Sequence, residues 1–191
     1  MAYQERIQEV RKKQIEIVGD VELFARACPA PILAITGSNG KTTVTTLVGE
    51  MLQAQGLNAQ VGGNIGRPAL DLLDGPVPEL VVLELSSFQL ETTDSMRARA
   101  AAILNLSPDH MDRYASITQY RKAKQRILDG AQTAVLNRED PVLKDMDTSS
   151  AADSVSFGLD APSRETDYGI ICDAKGEEWM VRGQKRIAPV A

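Results

Sequence analysis

The stretch Pro31-Ile32-Leu33-Ala34-Ile35-Thr36-Gly37-Ser38-Asn39-Gly40-Lys41-Thr42-Thr43 constrains this chain more than any other. Residues 31–35 are short, apolar and bounded by proline and glycine, which predicts a buried parallel strand. Past the glycines, Val44, Leu47, Val48, Met51 and Leu52 recur at the spacing of one apolar helix face. Strand, tight turn and helix therefore follow one another. Gly37 and Gly40 let the backbone bend and approach a ligand, with Ser38 and Asn39 between them. The free N–H groups at the helix start point at the turn, where an anion sits. Lys41 adds a mobile positive charge, and Thr42 or Thr43 offers a hydroxyl to magnesium. This is phosphate-binding chemistry. It departs from the general P-loop, because Ile35 stands where that pattern has its first glycine.

The remaining apolar runs predict further strands over residues 15–18, 58–61, 79–85, 100–105 and 133–137. Helices are expected from Asp20, as N-cap, through Ala27, over 68–73, over 116–129, and from Asn137 onward. Gly56 marks the end of the loop helix. Residues 3–13 have Tyr3, Ile7 and Val10 at helical spacing. Alternating strands and helices joined by short turns predict an α/β fold: a mostly parallel sheet flanked by helices. Short runs at 154–158, 168–172, 178–182 and 185–187 predict a small antiparallel annex at the C-terminal end.

The 191 residues suggest one domain, or one and a fraction, and the net charge of −5 points to neither nucleic acid nor an anionic membrane. The basic run Arg121 to Arg126 does not change that, because its charges do not share a helix face. Lys124 falls inside the apolar stripe of Ile117, Tyr120, Ile127 and Leu128. Cys28 and Cys172 lack metal-like spacing and read as reduced thiols. The N-terminus is polar and no apolar run is long enough to span a bilayer, so a cytoplasmic protein is expected. Asn105-Leu106-Ser107 matches a glycosylation sequon, which means nothing without a secretory signal. Gly62-Gly63-Asn64-Ile65-Gly66 lacks dinucleotide spacing and reads as a turn presenting Asn64.

Open α/β sheets bind ligands at the carboxyl ends of their strands. Here those ends bring the phosphate loop, Gly63-Asn64, Glu84-Leu85-Ser86-Ser87 and the segment Asn105 to His110 to one edge. A carboxylate near the end of a buried strand, as at Glu84, must be paired or metal-bound. Facing phosphates it is a natural magnesium ligand; the alternative is an ion pair with Arg or Lys. His110, the one histidine, follows a strand end in Asp109-His110-Met111-Asp112 and can bind a metal directly. Lys124 points at the core, where desolvation lowers an amine's pKa. Its alternative is to snorkel its charge to the sheet edge or to bind phosphate as a plain cation.

These motifs together resemble the Mur ligase family, the ATP-dependent amide ligases of peptidoglycan synthesis. The resemblance rests on the loop at 36–43, on Glu84-Leu85-Ser86-Ser87-Phe88-Gln89-Leu90-Glu91 and on Asn105 through Tyr114. Within the family these look like members that join D-glutamate to UDP-N-acetylmuramoyl-L-alanine through an acyl phosphate, with ATP and Mg2+. By that resemblance Lys41 steadies the β- and γ-phosphates. Thr42 and Glu84 hold one magnesium, and His110 with Lys124, as a carbamate, holds a second. Asn64, Ser86 and Gln89 contact substrate. The resemblance further implies that residues 1–14 are the remnant helix of a preceding domain. Residues 15–191 would be a central ATP-binding domain incomplete at its C-terminus, inactive without its N- and C-terminal partners. A non-ligase P-loop NTPase and a catalytically dead nucleotide-binding module are the competing readings.

Overall fold

A computed structural model describes residues 10, 12, 13, 15–109 and 111–190. The helix expected over residues 3–13 lies almost wholly outside them, and so does His110. Among the described residues, nine strands form one sheet in the order β2-β3-β1-β4-β5-β6-β7-β8-β9. The first six in chain order are β1 (Ile32–Thr36), β2 (Ala59–Gly63), β3 (Leu80–Glu84), β4 (Ala100–Ile103), β5 (Thr133–Asn137) and β6 (Asp153–Phe157). All six pair in parallel. β7 (Tyr168–Cys172) joins β6 in parallel through Phe157 and Tyr168. It then continues antiparallel into β8 (Glu178–Arg182) and β9 (Lys185–Pro189). The antiparallel annex is thus an extension of the main sheet.

Among the described residues, the sheet is flanked by α1 (Asp20–Ala27), α2 (Lys41–Ala54), α3 (Ser87–Leu90) and α4 (Ile117–Gln125). The larger core packs Val21 and Phe24 of α1, Leu90 of α3 and Tyr120 of α4 against Ile32, Ala34, Val81, Leu83, Ala101 and Ile103. The opposite face joins Ile35, Val82 and Leu104 to Val44, Val48 and Leu52 of α2. The buried side of α2 is rotated from the stripe expected. Thr45 and Gly49 are buried, while Leu47 and Met51 are half exposed or more. Gly49 is the cause: a Cβ there would lie 2.4 Å from Val61 Cγ2, so the helix sits closer to β2 than a larger residue allows.

Three expectations are corrected. Residues 15–18 form no strand; Glu16 instead pairs with Arg26 of α1. Gly19, extended at φ −86° and ψ 173°, is the N-cap of α1, and Asp20 is its first helical residue. There its charge still favours the helix start through the dipole. Residues 138–145 turn without becoming a regular helix, although Asp140 Oδ1 takes the amides of Val142 and Leu143 at 2.8 and 3.1 Å as an N-cap would. The segment at 68–73 shortens to a 3-10 turn, Leu70–Leu73, and α4 ends in another, Arg126–Leu128. Among the described residues, no helix is long and apolar enough to cross a membrane.

Candidate functional site

Strand order reverses at β1, which lies between β3 and β4. The crevice at its carboxyl end is where an open α/β sheet takes a ligand. Thr36 closes β1 and donates its hydroxyl to the Leu85 carbonyl at 2.7 Å, tying the ends of β1 and β3 together. The turn Gly37 to Gly40 then delivers the chain into α2. Gly40 adopts φ +75° with open space where a side chain would be, so its left-handed conformation is what requires glycine. The amides of residues 40–43 open the helix and have no intrahelical acceptor. Lys41 folds back over the loop, and its Nζ donates to the Ser38 carbonyl at 3.0 Å.

Glu84 ends β3 and is 2% exposed. Its carboxylate accepts the Thr42 hydroxyl at 2.9 Å and the Asn64 side-chain amide at 3.0 Å. The Asn64 backbone amide also donates to the Glu84 carbonyl, at 2.8 Å. Only glycine fits at residue 63 beside that carbonyl: φ is +101°, and a Cβ would lie 2.4 Å from the oxygen. These partners of Glu84 are neutral, so hydrogen bonds rather than an ion pair with Arg or Lys hold it. Thr42 Oγ1 and Glu84 Oε2 form an adjacent pair of hard oxygens at the head of the loop, and that donor set fits magnesium. Among the described residues, no three of His, Cys, Asp and Glu gather as a metal cluster. A magnesium ion here would therefore complete its shell with phosphate oxygens and water.

Lys124 is 2% exposed, as its azimuth on the helix requires. Its Nζ donates to Thr36 Oγ1 at 3.1 Å and to the Gly37 carbonyl at 2.9 Å, and it lies 4.8 Å from the Tyr120 ring centroid. Burial pushes its pKa down to about 7; the charge of Lys41 adds to the effect, and Asp109 and Glu84 oppose it. A cavity of about 220 Å³ opens between the two lysines, lined also by Asn64, Ser86, Ser87, Phe88, Asp109 and Tyr120. A larger hollow of about 490 Å³ includes Arg113, Lys122 and Arg126. Two of those cations are already engaged: Arg126 with the Leu90 and Thr93 carbonyls, Arg113 with Glu91.

The structure thus gathers Lys41, Asn64, Ser86 and Lys124 around one cavity, with Thr42 and Glu84 bonded to each other at the loop. Thr43 is exposed on the first turn of α2. Ser38 and Asn39 contribute differently. The Ser38 hydroxyl lies 3.3 Å from the Tyr120 hydroxyl and bonds the Ser107 backbone, while Asn39 pairs with Asn105. Gln89 does not line the cavity. Its side-chain oxygen accepts the Ser86 amide at 3.0 Å, and its own amide donates to the Ser86 hydroxyl, a reciprocal cap on α3. Sequence reasoning missed Thr36, Asn105 and Ser107 as loop supports. Their partners on the loop and on α4 are far away in sequence, and no spacing rule reports such pairs.

Residues 35–187 match the Mur ligase middle domain. The UDP-N-acetylmuramoylalanine--D-glutamate ligase of Methylobacillus flagellatus is 50% identical over 188 residues, covering 97% of this chain and 41% of that protein. The enzyme of that name from Shigella boydii is 54% identical over 175 residues, covering 90% of this chain and 38% of its own length. The chain therefore spans about two fifths of the curated relatives it matches. Among solved structures, a UDP-N-acetylmuramoyl-L-alanyl-D-glutamate--2,6-diaminopimelate ligase aligns with a TM-score of 0.68 at 22% identity, over 95% of this chain and 41% of that one. A MurF ligase from Thermotoga maritima in complex with ADP aligns at 0.63 and 18% identity, over 83% of this chain and 39% of that one. At those identities the two structures speak for the fold.

Proposed function

Because this chain belongs to the Mur ligase family, we propose that residues 15–191 are the central ATP-binding unit of a ligase joining D-glutamate to UDP-N-acetylmuramoyl-L-alanine. The observation that carries this reading is the buried Glu84 carboxylate, held by Thr42 and Asn64 at the head of the phosphate loop. In the reaction proposed, the substrate carboxylate attacks the γ-phosphate of ATP. That attack breaks the bond between the β- and γ-phosphates and expels ADP; the D-glutamate amine then captures the acyl phosphate, releasing phosphate and leaving an amide.

The geometry supports the following roles. The amides of residues 40–43 and the Lys41 ammonium hold the phosphates. Lys41 reaches them by exchanging its bond to the Ser38 carbonyl for phosphate oxygens. Thr42 and Glu84 would hold magnesium, which when bound neutralises charge on the β- and γ-oxygens. Asn64 keeps the Glu84 carboxylate oriented, and Ser86 offers a hydroxyl to the substrate on the other wall of the cavity. The nitrogen of a neutral Lys124 amine attacks carbon dioxide and gives up a proton to solvent, forming a carbamate whose two oxygens would serve a second metal. His110 is proposed as a partner ligand on its motif alone. The UDP group and the incoming amino acid fall to the parts of the relatives outside this span.

A chimera tests the reading. Residues 15–191 replace the matching segment of the Shigella boydii relative, and phosphate release is measured. Turnover that needs ATP, UDP-N-acetylmuramoyl-L-alanine and D-glutamate together, and that Lys41→Ala and Glu84→Ala each abolish, is the expected result. A stable chimera that hydrolyses ATP with neither co-substrate required contradicts it.

A further inference from the structure

We infer that Asn105 is a positioning residue for the phosphate loop, fixing the backbone of Asn39 so that the next four amides converge on an anion. This rests on the phosphate-binding reading of that loop. The Asn105 side-chain oxygen accepts the Asn39 amide at 2.8 Å, and its nitrogen donates to the Asn39 carbonyl at 3.0 Å. One carboxamide thus closes on both polar groups of one backbone residue, as a neighbouring strand would. The Asn105 carbonyl takes the Ser38 amide as well, at 2.9 Å. Ser107 repeats the device one residue earlier in the loop. Its amide donates to the Ser38 hydroxyl, and its carbonyl accepts from that hydroxyl, both at 3.0 Å.

The clamp is braced from behind. The Leu106 amide donates to Asp140 Oδ2 at 2.7 Å, so the turn after β5 holds the segment that holds the loop. Two consequences follow for the loop. The amides of Ser38 and Asn39 are spent on the clamp, which leaves those of Gly40, Lys41, Thr42 and Thr43 to meet an anion. Asn39 also directly precedes left-handed Gly40, so fixing its backbone sets the direction in which the turn enters α2. Asn105 itself is only half-buried and belongs to neither apolar core, so its removal leaves the packing of β1 and β4 in place.

The test uses this chain and two probes, magnesium–ATP and magnesium with inorganic triphosphate. Affinity is measured by calorimetry for the wild type, Lys41→Ala, Asn105→Ala and the near-isosteric Asn105→Leu. Amide hydrogen exchange is followed alongside. Losing the paired bonds should weaken both probes about tenfold in either Asn105 variant. The protection that wild-type residues 40–43 gain with either probe should be lost, while the strand amides of β1 and β3 stay as protected as before. Unchanged affinity in Lys41→Ala overturns the phosphate reading itself. Weak binding in Lys41→Ala with full affinity in both Asn105 variants overturns the positioning role alone. Weak binding accompanied by lost protection in β1 and β3 also overturns it, since Asn105 would then be holding the fold.

Discussion

Replacing Lys124 with methionine should change the pH dependence of folding in a defined window. The buried amine has its pKa lowered from 10.5 to about 7, chiefly by desolvation. An unfolded chain returns it to the ordinary value. Between those two values the unfolded state binds a proton that the folded state has given up, so stability rises with pH. The slope is about 1.4 kcal/mol per pH unit, and over the whole window it sums to about 5 kcal/mol. Below about pH 7 both states are protonated and the contribution is flat at its most unfavourable. Methionine fills similar volume and does not titrate. Urea unfolding of both proteins at intervals from pH 6 to 10, in buffer freed of carbon dioxide, gives two curves of free energy against pH. Their difference isolates Lys124, because the other titrating groups are common to both. The lost bonds to Thr36 and Gly37 shift one curve by a constant and leave the slope alone. The wild-type curve should climb relative to Lys124→Met from about pH 7 upward. Parallel curves would refute the claim that burial strips the proton from this lysine.

Two further outcomes follow from buried charge. Lys124 should yield a carbamate: with labelled bicarbonate and magnesium, a carbamate carbon resonance appears in the wild type and is absent in Lys124→Arg. A spectrum without that resonance counts against the second metal. Glu22 is buried, and burial alone would raise its pKa, but the amides of Ser95 and Asp94 and the Arg26 guanidinium outweigh it and hold the value at about 2. Its stabilisation is complete above the usual carboxylate range and is lost as pH falls from about 4.5 toward 2. Glu22→Gln should cost about 2–3 kcal/mol at neutral pH and flatten that acid limb; an unchanged urea midpoint at pH 7 would show that the 94–95 turn does not depend on the charge.

Features set by local chemistry were legible in the sequence. The alternation of apolar runs with glycine turns predicted the parallel sheet, and β5 falls where it was expected. Lys124 was legible because helical periodicity alone puts it among Ile117, Tyr120 and Leu128. Glu84 was legible because a carboxylate at a strand end has few physical outcomes. What escaped were features decided by contacts between distant segments. Residues 15–18 have strand composition but pair with no strand among the described residues. The segment from Asn137 onward looked like a helix start, yet it only turns, and Asp140 within it braces Leu106, a residue 34 positions earlier. Asn105 and Ser107 were placed at the ligand-binding edge, but their bonds to the loop were not legible because the partners lie 66 to 69 residues away. Gln89 was expected at the substrate on motif grounds. The cap it forms with Ser86 is a local pattern that could have been read from the S-x-x-Q spacing.

Locating the phosphate directly tests the central claim. The chain labelled with nitrogen-15 is titrated with magnesium–ADP, and amide shifts are followed residue by residue. The largest changes should fall on Gly40, Lys41, Thr42 and Thr43, with smaller ones at Asn64 and Glu84, and Lys41→Ala should abolish them. Saturable shifts centred instead on Arg113, Lys122 and Arg126, with residues 40–43 unmoved, would contradict the assignment of this loop.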